Sequence, residues 1–205
     1  MPDFHRVSVN DDNFIRGAAR ILWAGTTITF PITIADIINL STYDPMTNWN
    51  DLGATKTGIT ITVNNTEETF DVDQIYSDID ARPTSWECSV GTSLAEMTLQ
   101  RLQIAWEGGS VVQVNAPGSP TGTETQMGMG APTTYTRRRI AVLFQKQNNK
   151  IRAYVFRKTQ RTPQESAITY SKTGEQQAVP LRFKAFADLS ITDPLTRFFV
   201  IFDQN

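Results

Sequence analysis

Apolar and polar residues alternate with a period of two along most of this chain, and only one stretch takes up a helical period. Ile59, Ile61 and Val63 alternate with Thr60, Thr62 and Asn64, the pattern of a strand with one buried and one polar face. Asn64-Asn65 then reads as a turn. Phe70, Val72 and Gln74 alternate with Asp71, Asp73 and Ile75, so the two runs predict a hairpin with Ile, Val and Phe on one face and Thr and Asp on the other. Thr84–Val90 is a third strand of this group. Further on, Ile140, Val142 and Phe144 alternate with Ala141, Leu143 and Gln145, and Asn148-Asn149 turns the chain into a strand over Ile151–Lys158. Strands are also predicted over Ser166–Ser171, Ala178–Ala187 and Arg197–Phe202.

The helical stretch is Ser93–Trp106. Ser93 is a good N-cap with Glu96 three residues on, Leu94, Met97, Leu102 and Ala105 form a broad apolar stripe, and Gly108-Gly109 ends the run. Upstream, Ala18–Trp23 and Thr26–Phe30 around Ala24-Gly25 read as a hairpin or one bent strand. Ile32–Ile38 is ambiguous by period, and Pro31 at a helix N1 position favours one helical turn. Nine or ten strands joined by turns rather than helices predict a mainly β fold: antiparallel sheets folded as a sandwich or barrel, with one flanking α-helix and long loops.

Three segments lack period. Residues 1–17 form a polar arm with at most a short strand at Arg6–Val9. Residues 39–57 form a long loop carrying Tyr43, Met46 and Trp49, which reads as an interface. Residues 107–136 hold a second loop, punctuated by Pro117, Gly118, Pro120, Gly122, Gly128, Gly130 and Pro132. At 205 residues the chain is read as one domain, 1–205.

The net charge is −2 and the pI about 5.4, which argues against a basic nucleic-acid-gripping surface. A mildly acidic chain does suit a passive path for DNA. A single cysteine, Cys88, excludes an internal disulfide and, on a strand beside Trp86 and Val90, reads as a small buried hydrophobe. There is no apolar run long enough for a membrane helix and no secretory pattern at Met1–Arg6, so synthesis in the cytoplasm is expected and the acceptor-like Asn39-Leu40-Ser41 and Asn64-Asn65-Thr66 carry no meaning.

Chemistry is sparse. His5 is the only histidine, so no triad or zinc set can be built around it. Asp71, Asp73, Asp78 and Asp80 lack the Gly and Glu of an EF-hand and read as solvated carboxylates. Gly128-Met129-Gly130 is no phosphate cradle. No cofactor is expected. In Arg137-Arg138-Arg139, alternation predicts one side chain inward and two in solvent, with an intersubunit ion pair or a phosphate contact as the sharper readings.

The stretches Trp49-Asn50-Asp51-Leu52-Gly53, Gly58-Ile59-Thr60-Ile61, Phe70-Asp71-Val72-Asp73-Gln74 and Leu94-Ala95-Glu96-Met97-Thr98-Leu99, with the closing Val179–Asp188, resemble the tail tube (major tail) proteins of tailed bacteriophages. The likeness covers about half the chain and its motifs are structural. It implies two packed antiparallel sheets with a flanking helix, and a homo-oligomer of stacked rings, typically of six subunits each, in a virion tail assembled in the bacterial cytoplasm. Sheath, tape measure, tail terminator and baseplate proteins would be its partners, and DNA would pass transiently with no membrane involved. Tyr43, Met46, Trp49, Leu52, Arg137 and Arg138 become candidate subunit contacts, and Gly53 with the loop before it would reach a neighbouring ring. Thr60, Thr62, Asp71 and Asp73 become candidate lumen-facing residues. Tube proteins of contractile injection and type VI secretion systems share the implied fold and are the alternative. A carbohydrate-binding sandwich using Trp23, Trp49, Trp86 and Trp106, and an enzyme using Asp71–Asp80, are the readings from other classes.

Overall fold

A computed structural model describes residues 15–72, 75–114, 124–130, 133–146, 148–162 and 178–204. The predicted strands at Arg6–Val9 and Ser166–Ser171 lie outside them. The described chain is a mainly β sandwich with one helix. Its strands are β1 (Ile15–Gly25), β2 (Asn50–Asp51), β3 (Thr55–Val72), β4 (Ile75–Leu94), β5 (Val111–Val114), β6 (Glu124–Met127), β7 (Arg137–Lys146), β8 (Ile151–Arg161), β9 (Val179–Ala185) and β10 (Phe199–Asp203). The helix α1 is Leu99–Trp106, and a single 3-10 turn covers Ile34–Asp36.

All strand pairing is antiparallel, and the main sheet runs β2-β1-β7-β8-β9-β4-β3. The sheet forks at β8. Arg152–Phe156 pair with β10, whereas Thr159–Arg161 pair with β9. At the fork the Arg157 N–H donates to Phe198 O (3.0 Å) and the Phe186 N–H to Lys158 O (2.8 Å), which carries backbone pairing on both branches up to the split. The fork lets one continuous sheet close on itself as two facing blades.

Alternation then builds two cores. Ile21, Ile140, Val142 and Phe156 from the first blade meet Val90, Leu94, Leu181 and Phe183 from the second, with Ile104 and Ala105 of α1 alongside. Leu22, Ala24, Ala141, Leu143, Ala153 and Val155 point the other way and are covered by Ile34, Ile37, Ile38 and Trp49 of the segment after β1. Strands β1, β7 and β8 are therefore buried on both faces. That is why they carry unbroken apolar runs such as Ile-Ala-Val-Leu-Phe at 140–144.

Several expectations are corrected. There is no turn at Asn64-Asn65, because β3 runs through it, paired to Glu87 and Trp86 of β4. Ladder pairing on a long partner strand overrides the turn preference of two asparagines. The hairpin turn falls between Val72 and Ile75, which pair directly. Thr26–Phe30 is not a strand. The 3-10 turn begins after Thr33, where Asp36 accepts from the backbone N–H groups of Ile32 and Thr33, so Pro31 is not at N1. The helix begins five residues later than its capping pattern predicts: Ser93 and Leu94 remain in β4, pairing with Pro180 and Val179, and Thr98 is the N-cap that accepts from the Arg101 N–H. The second loop holds two strands, since β5 and β6 pair as a ribbon beside α1.

Gly53 shows how tightly the loop before β3 is fixed. Its φ is +96°, and a Cβ built there would lie 2.5 Å from Glu96 Oε2. Gly53→Ala is expected to cost about 1–2 kcal/mol in thermal or chemical unfolding, from the left-handed backbone and the clash together. A loss below about 0.3 kcal/mol would mean that this loop is not held as described.

Candidate assembly surfaces

The β3–β4 hairpin is the feature that the rest of the fold does not explain. β9 supports β4 only over Cys88–Leu94. Beyond that point, among the described residues, the two strands pair only with each other, from Asn64↔Glu87 out to Val72↔Ile75. The unsupported half spans about 30 Å at roughly 3.3 Å per residue. Residues 63–69 and 80–87 are all exposed. An isolated two-stranded hairpin is marginal in water, and nothing among the described residues of this chain packs on this one. Its face nearest the core carries Val63 (43% exposed) and Trp86 (54% exposed), apolar residues that continue the line of Ile59 and Ile61 past the edge of the core.

The outer face of the second blade is polar and concave. Thr60 and Thr62 lie there with Ser89, Gly91, Ser93 and Arg182 around an open groove of about 620 Å³. Its cations are tethered. Arg182 donates to Ser89 Oγ (2.9 Å from Nη2), and Lys184 pairs with Glu87 at 3.1 Å. Two of the candidate lumen residues, Thr60 and Thr62, are thus brought together on one surface. Asp71 is in β3 beyond the body, its side chain outside what is described, and Asp73 lies outside the described residues.

The candidate subunit contacts divide. Tyr43 and Met46 are exposed. Tyr43 is held with φ 60° and its carbonyl accepts from Arg20 Nη1 (2.5 Å), while Arg20 Nε bonds Asp51 (2.6 Å). Trp49 and Leu52 are corrected: both are buried in this chain's own cores, so their loop is structural. The same applies to Gly53, which packs on Glu96 and Arg101 rather than reaching outward.

Arg138 is corrected too. Because β7 is covered on both faces, neighbouring arginines enter two different buried layers instead of alternating with solvent. Arg138 donates to Glu107 Oε1 at 2.5 Å, with side chains only 8% and 5% exposed, and lies over Trp23. Its ion pair is internal, not intersubunit. Glu107 caps α1 in the left-handed region (φ 54°) and also accepts from the Thr136 N–H at 3.3 Å. Arg139 donates to Ile28 O on the opposite layer. Arg137 alone is exposed, set over the Phe186 ring at 5.4 Å.

Asp203 joins β10 to the opposite end of the first blade. Hydrogen bonds from Arg152 (2.7 Å) and then from Lys146 (3.0 Å) hold its carboxyl below the usual carboxylate range, against the opposing effect of burial. A depressed folded-state pKa stabilises above the unfolded value, about 3.9, and that stabilisation is lost as pH falls through the folded pKa. The thermal midpoint is therefore expected to drop below about pH 4, and Asp203→Asn to flatten that drop while lowering the midpoint at pH 7. An unchanged acid limb in the variant would remove Asp203 from the explanation.

Cys88 is buried, and burial raises its thiol pKa, which suits packing rather than nucleophilic work. Of the four tryptophans only Trp86 is open to solvent. Among the described residues no three His, Cys, Asp or Glu are grouped to hold a metal, and no helix is long and apolar enough to cross a membrane. No protein-family model matches the chain, and no curated protein matches its sequence.

Proposed function

We propose that this chain is a structural subunit of a bacteriophage tail tube that self-assembles into stacked rings forming a conduit for DNA. The observation that carries the reading is the β3–β4 arm: about 30 Å of paired strand with no partner among the described residues of its own chain. Such an arm needs a neighbouring molecule to cover it. The polar concave face with Thr60, Thr62 and Ser89 supports the same reading, because a wall mostly of hydroxyls, with Arg182 as the one cation in the groove's lining, offers DNA little of the counterion-release attraction of a basic groove. The sequence motifs at Trp49–Gly53 and Phe70–Gln74 point to the same family by resemblance.

Electron microscopy of the purified chain at increasing concentration is the test. Rings or tubes with a central channel are the expected result. A chain that stays monomeric under all conditions, or that is absent from isolated virion tails, overturns the proposal.

A further inference from the structure

Charge is divided unevenly along this chain. Between Glu67 and Arg82 there are six carboxylates (Glu67, Glu68, Asp71, Asp73, Asp78 and Asp80) and one cation, Arg82. That stretch is the outer part of the arm. The whole chain carries only −2, so the remainder is net positive. A molecule with an acidic projection and a basic body is complementary to a second copy of itself in a head-to-tail sense.

The body presents one place built to receive that charge. Arg157 lies over the Phe30 ring at 3.8 Å, and Arg139 lies 5.5 Å from the same ring. Arg157 Nε donates to Thr196 O (2.6 Å) and Arg139 Nη1 to Ile28 O, which ties the cluster to the two loops flanking it. Arg139 is nine-tenths buried, and its Nε has no hydrogen-bond partner among the described residues. Asp188 is the carboxylate whose field reaches both guanidiniums, and it is shared with Lys158 at 3.8 Å. Arg139, Arg157 and Lys158 thus share Asp188, while Asp36 and Asp193 of the flanking loops are engaged with backbone N–H groups of their own turns. Burial lowers the pKa of both arginines, the nearby Arg157 charge lowers that of Arg139 further, and Asp188 opposes both. The same two loops expose Ile32 (80%), Leu189 (79%) and Leu195 (90%), apolar side chains that none of the described residues covers.

We infer that the Arg139–Phe30–Arg157 cluster, with its rim of Ile32, Leu189 and Leu195, is the docking site for the acidic β3–β4 arm of a second copy of this chain. The arm supplies the missing carboxylates to Arg157 and Lys158, and its apolar residues cover the leucine and isoleucine rim. The contact is heterologous, since the arm of one copy meets the body of the next, so it propagates into a ring or stack. The inference rests on the self-assembly proposed above and names the surfaces that meet.

The test is charge reversal on the full chain. E67K/E68K/D80K alters three exposed positions and leaves the core untouched. It is expected to weaken self-association by at least about tenfold at physiological salt, and R157E, with its fold checked by circular dichroism, to do the same. Mixing the two variants restores every contact, because each reversed arm then meets a reversed site and each native arm a native one. Carbodiimide treatment of assembled wild-type protein should join carboxylates of residues 67–80 in one copy to Lys158 in another. If E67K/E68K/D80K assembles as the wild type does, or if the cross-links form elsewhere on the body, this docking site is wrong while the tube reading stands. If the wild type never associates, both fall.

Discussion

Replacing Glu107 with alanine is expected to destabilise the chain by about 3–5 kcal/mol, enough to unfold a domain of ordinary stability at moderate temperature. The loss comes from what is left behind. Arg138 is buried beside Trp23, and its 2.5 Å bond to Glu107 is the charge pairing that lets it stay there. Without the carboxylate, a guanidinium sits uncompensated in the interior of a double-covered strand. Arg138→Met is expected to cost a similar amount for the converse reason. The double change Glu107→Gly with Arg138→Met removes both charges, keeps an unbranched chain against Trp23, and places glycine where the backbone is left-handed at φ 54°. It should recover most of the loss, to within about 1–2 kcal/mol of the parent. Chemical denaturation of the three variants would decide it. Singles no worse than ordinary surface changes, within about 0.5 kcal/mol, would show that the pair is solvated in solution.

Deleting the arm should separate folding from assembly. Replacing residues 67–84 with Asn-Gly joins Thr66 to Ser85, which already pair, through a two-residue turn of the type that matches strand twist. Residues 67–69 and 80–84 of the removed segment are exposed, and neither core draws on them. The body is therefore expected to melt cooperatively within a few degrees of the full chain. Rings and tubes should disappear. Tubes that form normally without the arm would show that its length serves something else; a body that no longer folds would show that the arm holds the second blade in place.

Much of the fold is legible in the sequence because period-two alternation is a local signal. The runs at Ile140–Phe144 and Val179–Ala185 become strands; the second buries the residues that alternation assigns, and the first is buried on both faces. What alternation cannot supply is partnership. Asn64-Asn65 looks like a turn until a second strand of twenty residues lies beside it. Ser93-Leu94 looks like a helix start until Pro180 and Val179 claim those residues for a ladder. Arg138 finds Glu107 thirty-one positions away, a distance no spacing rule reaches. Trp49 and Leu52 sit in an aperiodic segment, where nothing local separates an interface from a lid over the chain's own core. The candidate surfaces follow the same division. The polar face at Thr60 and Thr62 follows from their alternation with Ile59 and Ile61, whereas the arginine–phenylalanine cluster joins residues 30, 139 and 157 from three segments.

The fork at β8 has a consequence in time. One strand must find β7 along one edge and both β9 and β10 along the other, and β7 must in turn find β1, whose Gly25 pairs with Arg138. Apart from the local β7–β8 hairpin, the pairings that close the body span long stretches of chain, the kind of topology that folds slowly. During synthesis β3 and β4 emerge together as a local hairpin, but the surfaces around Arg157 exist only after residues 186–203 have been made and paired. If the arm docks there as proposed, a half-made chain offers an arm and no place to receive one, and two nascent chains cannot join. On that reading the order of synthesis holds assembly back until the receiving loops are made.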